Sequence, residues 1–429
     1  MTSLTVSPAP AGISGRIRVP GDKSISHRAL LLAARAQGTS RLAGLSRGAD
    51  VVATRRAVEA FGAVVADEPD GSVVVSGGVL HEPERVIDVG NSGTGIRLMA
   101  GWAAGIDGLA VLQGDASIAR RPMGRVVEPL RAMGARIDGR QDGRLPPLVV
   151  RGGGLHGIDY QLPVPSAQVK GAVLLAGLNA SGTTTVREKL ATRAHTEQML
   201  VACGVRVDVE DHAVTVHPGP LRATDFDVPC DPSQAAFWVV AACVTPGSDV
   251  TVENVYIGAQ RAGFIEVLRR MGADLSLEGY DPVATVADIR ARWSPLTATE
   301  VGGSEIPGLI DEIPVLAVAA AFADGTTIFR DAAELRVKES DRIATMVAAL
   351  TAVGVDTQGR PDGLVVTGRP GQPPGGGRVD ASGDHRVAMS LAVAALASGE
   401  AIHIDGWDSV STSYPGFEED LRSCRNPSE

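Results

Sequence analysis

Aromatic side chains make up only 3% of this 429-residue chain, and 40 Lys and Arg are outnumbered by 50 Asp and Glu, for a net charge of −10. A nucleic-acid-binding face needs a basic surface with aromatics, so that class of partner is excluded and any basic site must be local. Cysteine is nearly missing. Cys203, Cys230, Cys243 and Cys424 show no C-x-x-C spacing and no dense framework, which supports neither a zinc site nor a disulfide scaffold. Long apolar runs are missing as well. The longest, Ala235 to Val244, is about half of the ~20 residues that span a bilayer. The opening Met1-Thr2-Ser3-Leu4-Thr5 has neither a basic n-region nor an apolar h-region. The expectation is a soluble cytoplasmic protein with no nucleic-acid or membrane partner.

What is present is length and repetition. Single cores stop growing near about 250 to 300 residues, so this chain predicts two domains. Six times a small or Asx-rich turn runs into a nearly unbroken apolar helix. The turns are Gly21-Asp22-Lys23-Ser24, Gly90-Asn91-Ser92-Gly93-Thr94, Pro165-Ser166-Ala167-Gln168, Cys230-Asp231-Pro232-Ser233, Asp311-Glu312-Ile313-Pro314 and Ser382-Gly383-Asp384-His385-Arg386. Gly38, Gly108, Gly182, Gly247, Gly325 and Gly399 then read as stops of these helices. A second, amphipathic helix ends at Gly62, Gly134, Gly204, Gly272 and Gly354, where glycine suits a left-handed C′ position. Alternating strands follow, as in Val205-Arg206-Val207-Asp208-Val209, the turn Glu210-Asp211-His212 and the return Ala213-Val214-Thr215-Val216. Each unit thus reads strand, helix, strand, helix, hairpin. The fold class is α/β, with six βαβαββ repeats, three per lobe. The linkers near Val19-Pro20-Gly21 and Phe226-Asp227-Val228-Pro229 divide the chain into lobe one, residues 21–228, and lobe two, residues 1–20 plus 229–429.

Every helix start exposes free N–H donors and carries roughly half a positive charge, so six of them can serve anionic molecules. The sharpest segment is Gly21-Asp22-Lys23-Ser24-Ile25-Ser26-His27-Arg28. Ser24 is a candidate N-cap, and Arg28 lies one turn up the same face, so Lys23, Ser24 and Arg28 can converge on one anion. An ordinary cap with solvated cations fits the same residues.

This segment resembles the N-terminal motif of the 5-enolpyruvylshikimate-3-phosphate (EPSP) synthase family. So do Gly90-Asn91-Ser92-Gly93-Thr94-Gly95-Ile96-Arg97, Arg121-Pro122-Met123-Gly124, Ser166-Ala167-Gln168, Arg336-Val337-Lys338-Glu339-Ser340-Asp341-Arg342 and Asp384-His385-Arg386, in order along nearly the whole chain. The resemblance implies an inside-out α/β barrel architecture with helix starts facing a cleft. It implies transfer of the enolpyruvyl group of phosphoenolpyruvate (PEP) to the 5-hydroxyl of shikimate 3-phosphate, without cofactor or metal, in a protein expected to be a monomer. By resemblance, shikimate 3-phosphate is held by Lys23, Ser24, Arg28, Ser166, Ala167, Gln168, Arg193, Asp311 and Lys338. PEP is held by Lys23, Gly93, Arg121, Gln168, Arg342 and Arg386. Asp311 is the base at the hydroxyl, Glu339 the acid at the PEP methylene, Lys23 assists the leaving phosphate, and Asn91 and His385 support.

Charge arithmetic is consistent with that load. Two phosphates and two carboxylates bring roughly five to six negative charges, and six helix ends offer only about three positive ones, so side-chain cations must supply the rest. One position departs from the family pattern: Thr412 stands where many members carry Lys. Other readings remain at this level, a specialised enolpyruvyl transferase with another phosphorylated acceptor among them. An enolpyruvyl transferase acting on UDP-N-acetylglucosamine normally employs a reactive cysteine in lobe one, and this chain has none before Cys203. A non-catalytic anion-binding repeat protein needs the helix starts but not Asp311 or Glu339.

Overall fold

The computed structural model describes residues 2–258 and 260–425. The chain divides into two compact units, Lys23–Val228 and Met1–Asp22 with Pro229–Glu429. Each is organised around three helices that the sequence makes largely apolar on every side. In the first unit these are Lys23–Arg35, Gly93–Ala104 and Ala167–Gly177. In the second they are Pro232–Val244, Ile313–Ala321 and His385–Leu396, in which every residue is buried. A helix without a polar face is stable only in an interior. The three helices of the second unit accordingly pack on one another, and in the first unit Gly93–Ala104 packs on both others. The approach there is close: a Cβ at Gly101 would lie 2.0 Å from the Ala172 carbonyl oxygen, so the crossing depends on the missing side chain.

Sheets surround these helices. Among the described residues, five have four strands and one has three. Each four-stranded sheet joins a parallel pair to an antiparallel hairpin. In one, Ile87–Asp88 runs parallel to Gly108–Gln113, which pairs antiparallel with Leu145–Gly152, itself paired with Arg136–Gly139. Buried residues alternate with more exposed ones along Leu145–Gly152, as a strand with one face on the core requires. Helices inside and sheets outside make the inside-out α/β arrangement.

The second-helix glycines behave as expected, with φ of +105° at Gly62, +100° at Gly134, +81° at Gly204, +90° at Gly272 and +85° at Gly354, the left-handed C′ geometry. The first-helix glycines do not. The helices end earlier, at Arg35, Ala104 and Ala321, and Gly38, Gly108 and Gly325 open the following strands instead. The hairpin turn falls on Asp211 and His212, with φ of 28° and 68°, between Val207–Glu210 and Ala213–Val216.

Segments remote in sequence complete the repeats. Phe226–Asp227 adds to Gly38–Ala43, Ser14–Ile17 adds to Asp249–Tyr256, and Ser3–Val6 pairs antiparallel with Ile402–Asp405. The sixth repeat thus takes a strand from the N-terminal segment, and Phe417–Arg425 serves as its second helix. Among the described residues no helix is long and apolar enough to cross a membrane.

Candidate active site

In the Lys23–Val228 unit, the starts of the three inner helices carry most of the expected residues. The first helix begins at Lys23, so Ser24 lies inside its first turn rather than at the cap. Lys23 Nζ meets Asp50 Oδ2 at 2.9 Å. Arg28 is buried and spans three elements: Nε donates to Thr196 Oγ1 at 2.7 Å, Nη1 to the Ser24 carbonyl at 2.9 Å and Nη2 to the Ala167 carbonyl at 3.4 Å. Ser166 is a true N-cap, its Oγ accepting from Val169 N at 3.3 Å. Gln168 is fixed at both ends, Oε1 accepting from Arg97 Nη1 at 2.8 Å and Nε2 donating to Thr94 Oγ1 at 2.9 Å. Arg97 also reaches the Gly93 and Pro122 carbonyls at 3.1 and 3.3 Å, so it ties the Gly93 loop, the Arg121 loop and Gln168 together. Asn91 Nδ2 donates to Asp115 Oδ2 at 2.7 Å. Arg193 is half-buried in the irregular stretch before the His195–Ala202 helix.

Arg121 is buried, not solvated as its place before Pro122 allowed. A Cβ at Gly93 would stand 2.1 Å from Arg121 Nη1 and 3.2 Å from Arg97 Nη1. Gly93→Ala is therefore expected to displace the Arg121 guanidinium. On the expectation that Arg121 binds PEP, loss of a charged hydrogen bond of about 1.5–3 kcal/mol should raise the KM for PEP by roughly 10- to 150-fold. Steady-state kinetics showing the KM for PEP unchanged would remove Arg121 from the PEP site.

His27 supports this group from beneath. Its Nδ1 lies 2.7 Å from Thr54 Oγ1 and its Nε2 3.2 Å from Ser92 Oγ, which itself accepts from Gly95 N at 2.9 Å as the cap of Gly93–Ala104. Burial first, then the charges of Lys23 and Arg28, hold the His27 pKa well below the ordinary histidine value. The unfolded chain binds a proton below about pH 6.5 that folded His27 refuses. Stability is therefore complete above that pH and falls as pH drops, by up to about 1.4 kcal/mol per unit. A His27→Gln variant is expected to show a shallower acid decline in urea unfolding between pH 6.5 and 5. Parallel profiles would contradict this.

In the other unit, Arg342 is the organising residue. It is 1% exposed on its side chain, so the charged run Lys338 to Arg342 is not a solvated helix start. Nε donates to Asp384 Oδ2 at 2.8 Å, Nη1 to Asp311 Oδ1 at 3.3 Å, and Nη2 to Glu339 Oε2 at 2.6 Å and Asp384 Oδ1 at 3.4 Å. Burial alone would lower its pKa, but the charges of Asp384, Glu339 and Asp311 outweigh this and raise it. These bonds account for four of five guanidinium N–H groups, leaving one Nη1 donor. Lys338 Nζ reaches Asp311 Oδ1 at 3.4 Å, and Arg386 Nη1 donates to the Asp311 carbonyl at 3.1 Å. Asp384 caps the His385–Leu396 helix through Arg386 N at 3.0 Å. His385 is buried directly behind that cap. Thr412 turns its hydroxyl to the Ser409 carbonyl at 2.7 Å.

The structure therefore gathers Asp311, Lys338, Glu339, Arg342, His385 and Arg386 in one unit, and Lys23, Ser24, Arg28, Gly93, Arg121, Ser166, Ala167, Gln168 and Arg193 belong to the other. The sequence reading gave no role to the residues that hold them: Asp50, Thr196, and Thr94 and Asp384 inside quoted motifs. Arg97 was visible as a basic residue in a helix's first turn, without a role. Among the described residues no group of three or more His, Cys, Asp or Glu side chains is arranged to hold a metal ion.

The enolpyruvyl transferase NikO from Streptomyces tendae shares the fold, with a TM-score of 0.79 over 98% of this chain and 97% of its own at 19% identity. Closer relatives narrow the assignment. An EPSP synthase from Acinetobacter baumannii superposes with a TM-score of 0.87 at 40% identity, covering 99% of this chain and 98% of its own. A 3-phosphoshikimate 1-carboxyvinyltransferase of Phenylobacterium zucineum (strain HLK1) is 50% identical over 98% of this chain and 95% of its own length. One of Bacillus thuringiensis subsp. konkukian (strain 97-27) is 46% identical over 98% and 99%. The EPSP synthase (3-phosphoshikimate 1-carboxyvinyltransferase) family model matches residues 8–421, and this chain belongs to that family.

Proposed function

We propose that Asp311, Glu339 and Lys23 carry out the transfer of the enolpyruvyl group of PEP to the 5-hydroxyl of shikimate 3-phosphate. The observation that carries this assignment is the single buried guanidinium of Arg342 bonded to both Asp311 and Glu339. One rigid fork thereby sets the spacing of a base and an acid. Glu339 delivers a proton to the PEP methylene as the acceptor oxygen attacks the adjacent carbon, and Asp311 takes the hydroxyl proton. The ketal-like intermediate then expels phosphate as the Glu339 carboxylate takes one proton back from the methyl group, restoring the C=C bond, and Lys23 offsets the charge on the departing phosphate.

Lys23, Ser24, Arg28, Ser166, Ala167, Gln168, Arg193, Asp311 and Lys338 bind shikimate 3-phosphate in this reading, and Lys23, Gly93, Arg121, Gln168, Arg342 and Arg386 bind PEP, with Asn91 and His385 in support. Arginine forks suit a ligand with an anion at each end. The first lobe chiefly serves the acceptor and the second PEP and the carboxylates. The protein works as a cytoplasmic monomer with these two small molecules as partners. A cysteine-dependent transferase on UDP-N-acetylglucosamine fits poorly, because Cys203 is buried and burial raises its pKa.

Phosphate release from PEP by the purified protein, with and without shikimate 3-phosphate, tests the reading. Release that requires shikimate 3-phosphate is expected. Equal release with UDP-N-acetylglucosamine, or none with either acceptor, overturns it.

A further inference from the structure

The Ala167–Gly177 helix carries one ionised side chain into the interior. Lys170, one turn beyond Ser166, is 2% exposed. Its Nζ lies 2.8 Å from Glu188 Oε2, 2.6 Å from Glu197 Oε1 and 3.4 Å from the Thr192 carbonyl oxygen. An ammonium out of water is costly unless paired, and here it is paired twice. Glu188 in turn accepts from the Thr192 amide at 3.4 Å and, through a short bond, from the Thr192 hydroxyl. Thr192 is thus held at its amide, hydroxyl and carbonyl.

What this cluster fixes is a stretch with no regular structure of its own. Residues 188–194 connect the strand Thr184–Arg187 to the helix His195–Ala202. That helix has no side-chain cap at Ala194. Lys170 ties both ends of the stretch, through Glu188 at its beginning and Glu197 just beyond it. Arg193 follows Thr192 directly. The backbone entering Arg193 is therefore set by a lysine from the helix whose first turn holds Ser166, Ala167 and Gln168. The same end of the stretch is fixed again where Arg28 Nε donates to Thr196 Oγ1.

We propose that Lys170 is a positioning residue for acceptor recognition: acting through Glu188, Glu197 and Thr192, it sets where the Arg193 guanidinium meets an anionic group of shikimate 3-phosphate. This rests on the reading of Arg193 as an acceptor ligand. Lys170 touches no substrate in this scheme. Its loss acts on one substrate and through one residue, which a general structural role would not.

The test is a double-mutant cycle in steady-state kinetics on the full-length protein, with shikimate 3-phosphate and PEP each varied at saturation of the other. The variants are Lys170→Met, Thr192→Val, Arg193→Ala and the two doubles containing Arg193→Ala. Lys170→Met is expected to raise the KM for shikimate 3-phosphate at least about tenfold, with the KM for PEP and kcat within about threefold. In the Arg193→Ala background the same substitution should cost less than about twofold. Thr192→Val removes only the hydroxyl bond to Glu188 and should act in the same direction, several-fold. It carries the cycle if Lys170→Met, which strands two buried carboxylates, fails to fold. Equal losses for both substrates, or a penalty undiminished in the Arg193→Ala background, overturn the proposal while the acceptor role of Arg193 stands. An Arg193→Ala variant with an unchanged KM for shikimate 3-phosphate overturns both.

Discussion

Asp311→Asn is expected to lower kcat by roughly 10²- to 10⁴-fold, the usual worth of a positioned general base, while the urea midpoint stays near that of the parent. The amide keeps an oxygen where Oδ1 accepts from Lys338 at 3.4 Å and Arg342 at 3.3 Å, so the local geometry has reason to persist. What is lost, on the proposed assignment, is the capacity to take the proton of the attacking hydroxyl. Glu339→Gln should cost a similar factor, because its oxygen can still accept from Arg342 while it no longer supplies an acidic proton. Both groups bond to one guanidinium and, in the proposed mechanism, serve one bond-forming event, so the double variant should fall far short of the product of the single losses. Single-turnover and steady-state rates would check this. A loss under about tenfold for either variant would strip that carboxylate of its role.

Much of this was legible in the sequence, because the fold is a repeated local pattern. Turn, apolar helix, left-handed glycine and hairpin each follow from short-range rules, and their recurrence gave the number of units. Where the reading slipped, the deciding contacts were non-local. Gly38, Gly108 and Gly325 read as helix stops until the strands that they open found partners. The reading put residues 1–20 in lobe two without assigning them to a repeat, and the strand that completes the sixth repeat is Ser3–Val6, at the far end of the chain. The cations of the site were visible, but not their neutralising partners. Asp50 is 27 residues from Lys23 and Asp384 is 42 from Arg342, and no spacing rule joins them. The list of positive charges therefore overstated the net positive charge that the structure offers to anions. Arg97 lay inside a motif, yet its work of joining Gln168 to the Gly93 and Arg121 loops depends on three elements brought together by packing.

Arg261→Met is expected to lower stability by about 3–5 kcal/mol, as removal of one partner from a buried ion network does. Arg261 is 2% exposed. Nε donates to Asp22 Oδ2 at 3.0 Å, Nη1 to Ser233 Oγ at 2.8 Å and Glu312 Oε1 at 3.2 Å, and Nη2 to Asp231 through a short bond. Burial by itself would lower the Arg261 pKa, but the charges of Asp231, Asp22 and Glu312 outweigh it and raise it. The three carboxylates fix three chain segments. Asp231 caps Pro232–Val244 and Glu312 precedes Ile313–Ala321. The Asp22 amide donates to the Pro229 carbonyl at 2.7 Å. Methionine fills much of the space but strands three acids in a dry interior. Urea unfolding at pH 7 reads the deficit relative to the parent. Arg261→Lys, which keeps the charge and gives up the fork, should lose less. A deficit below about 1 kcal/mol at pH 7 would mean that these carboxylates do not depend on Arg261.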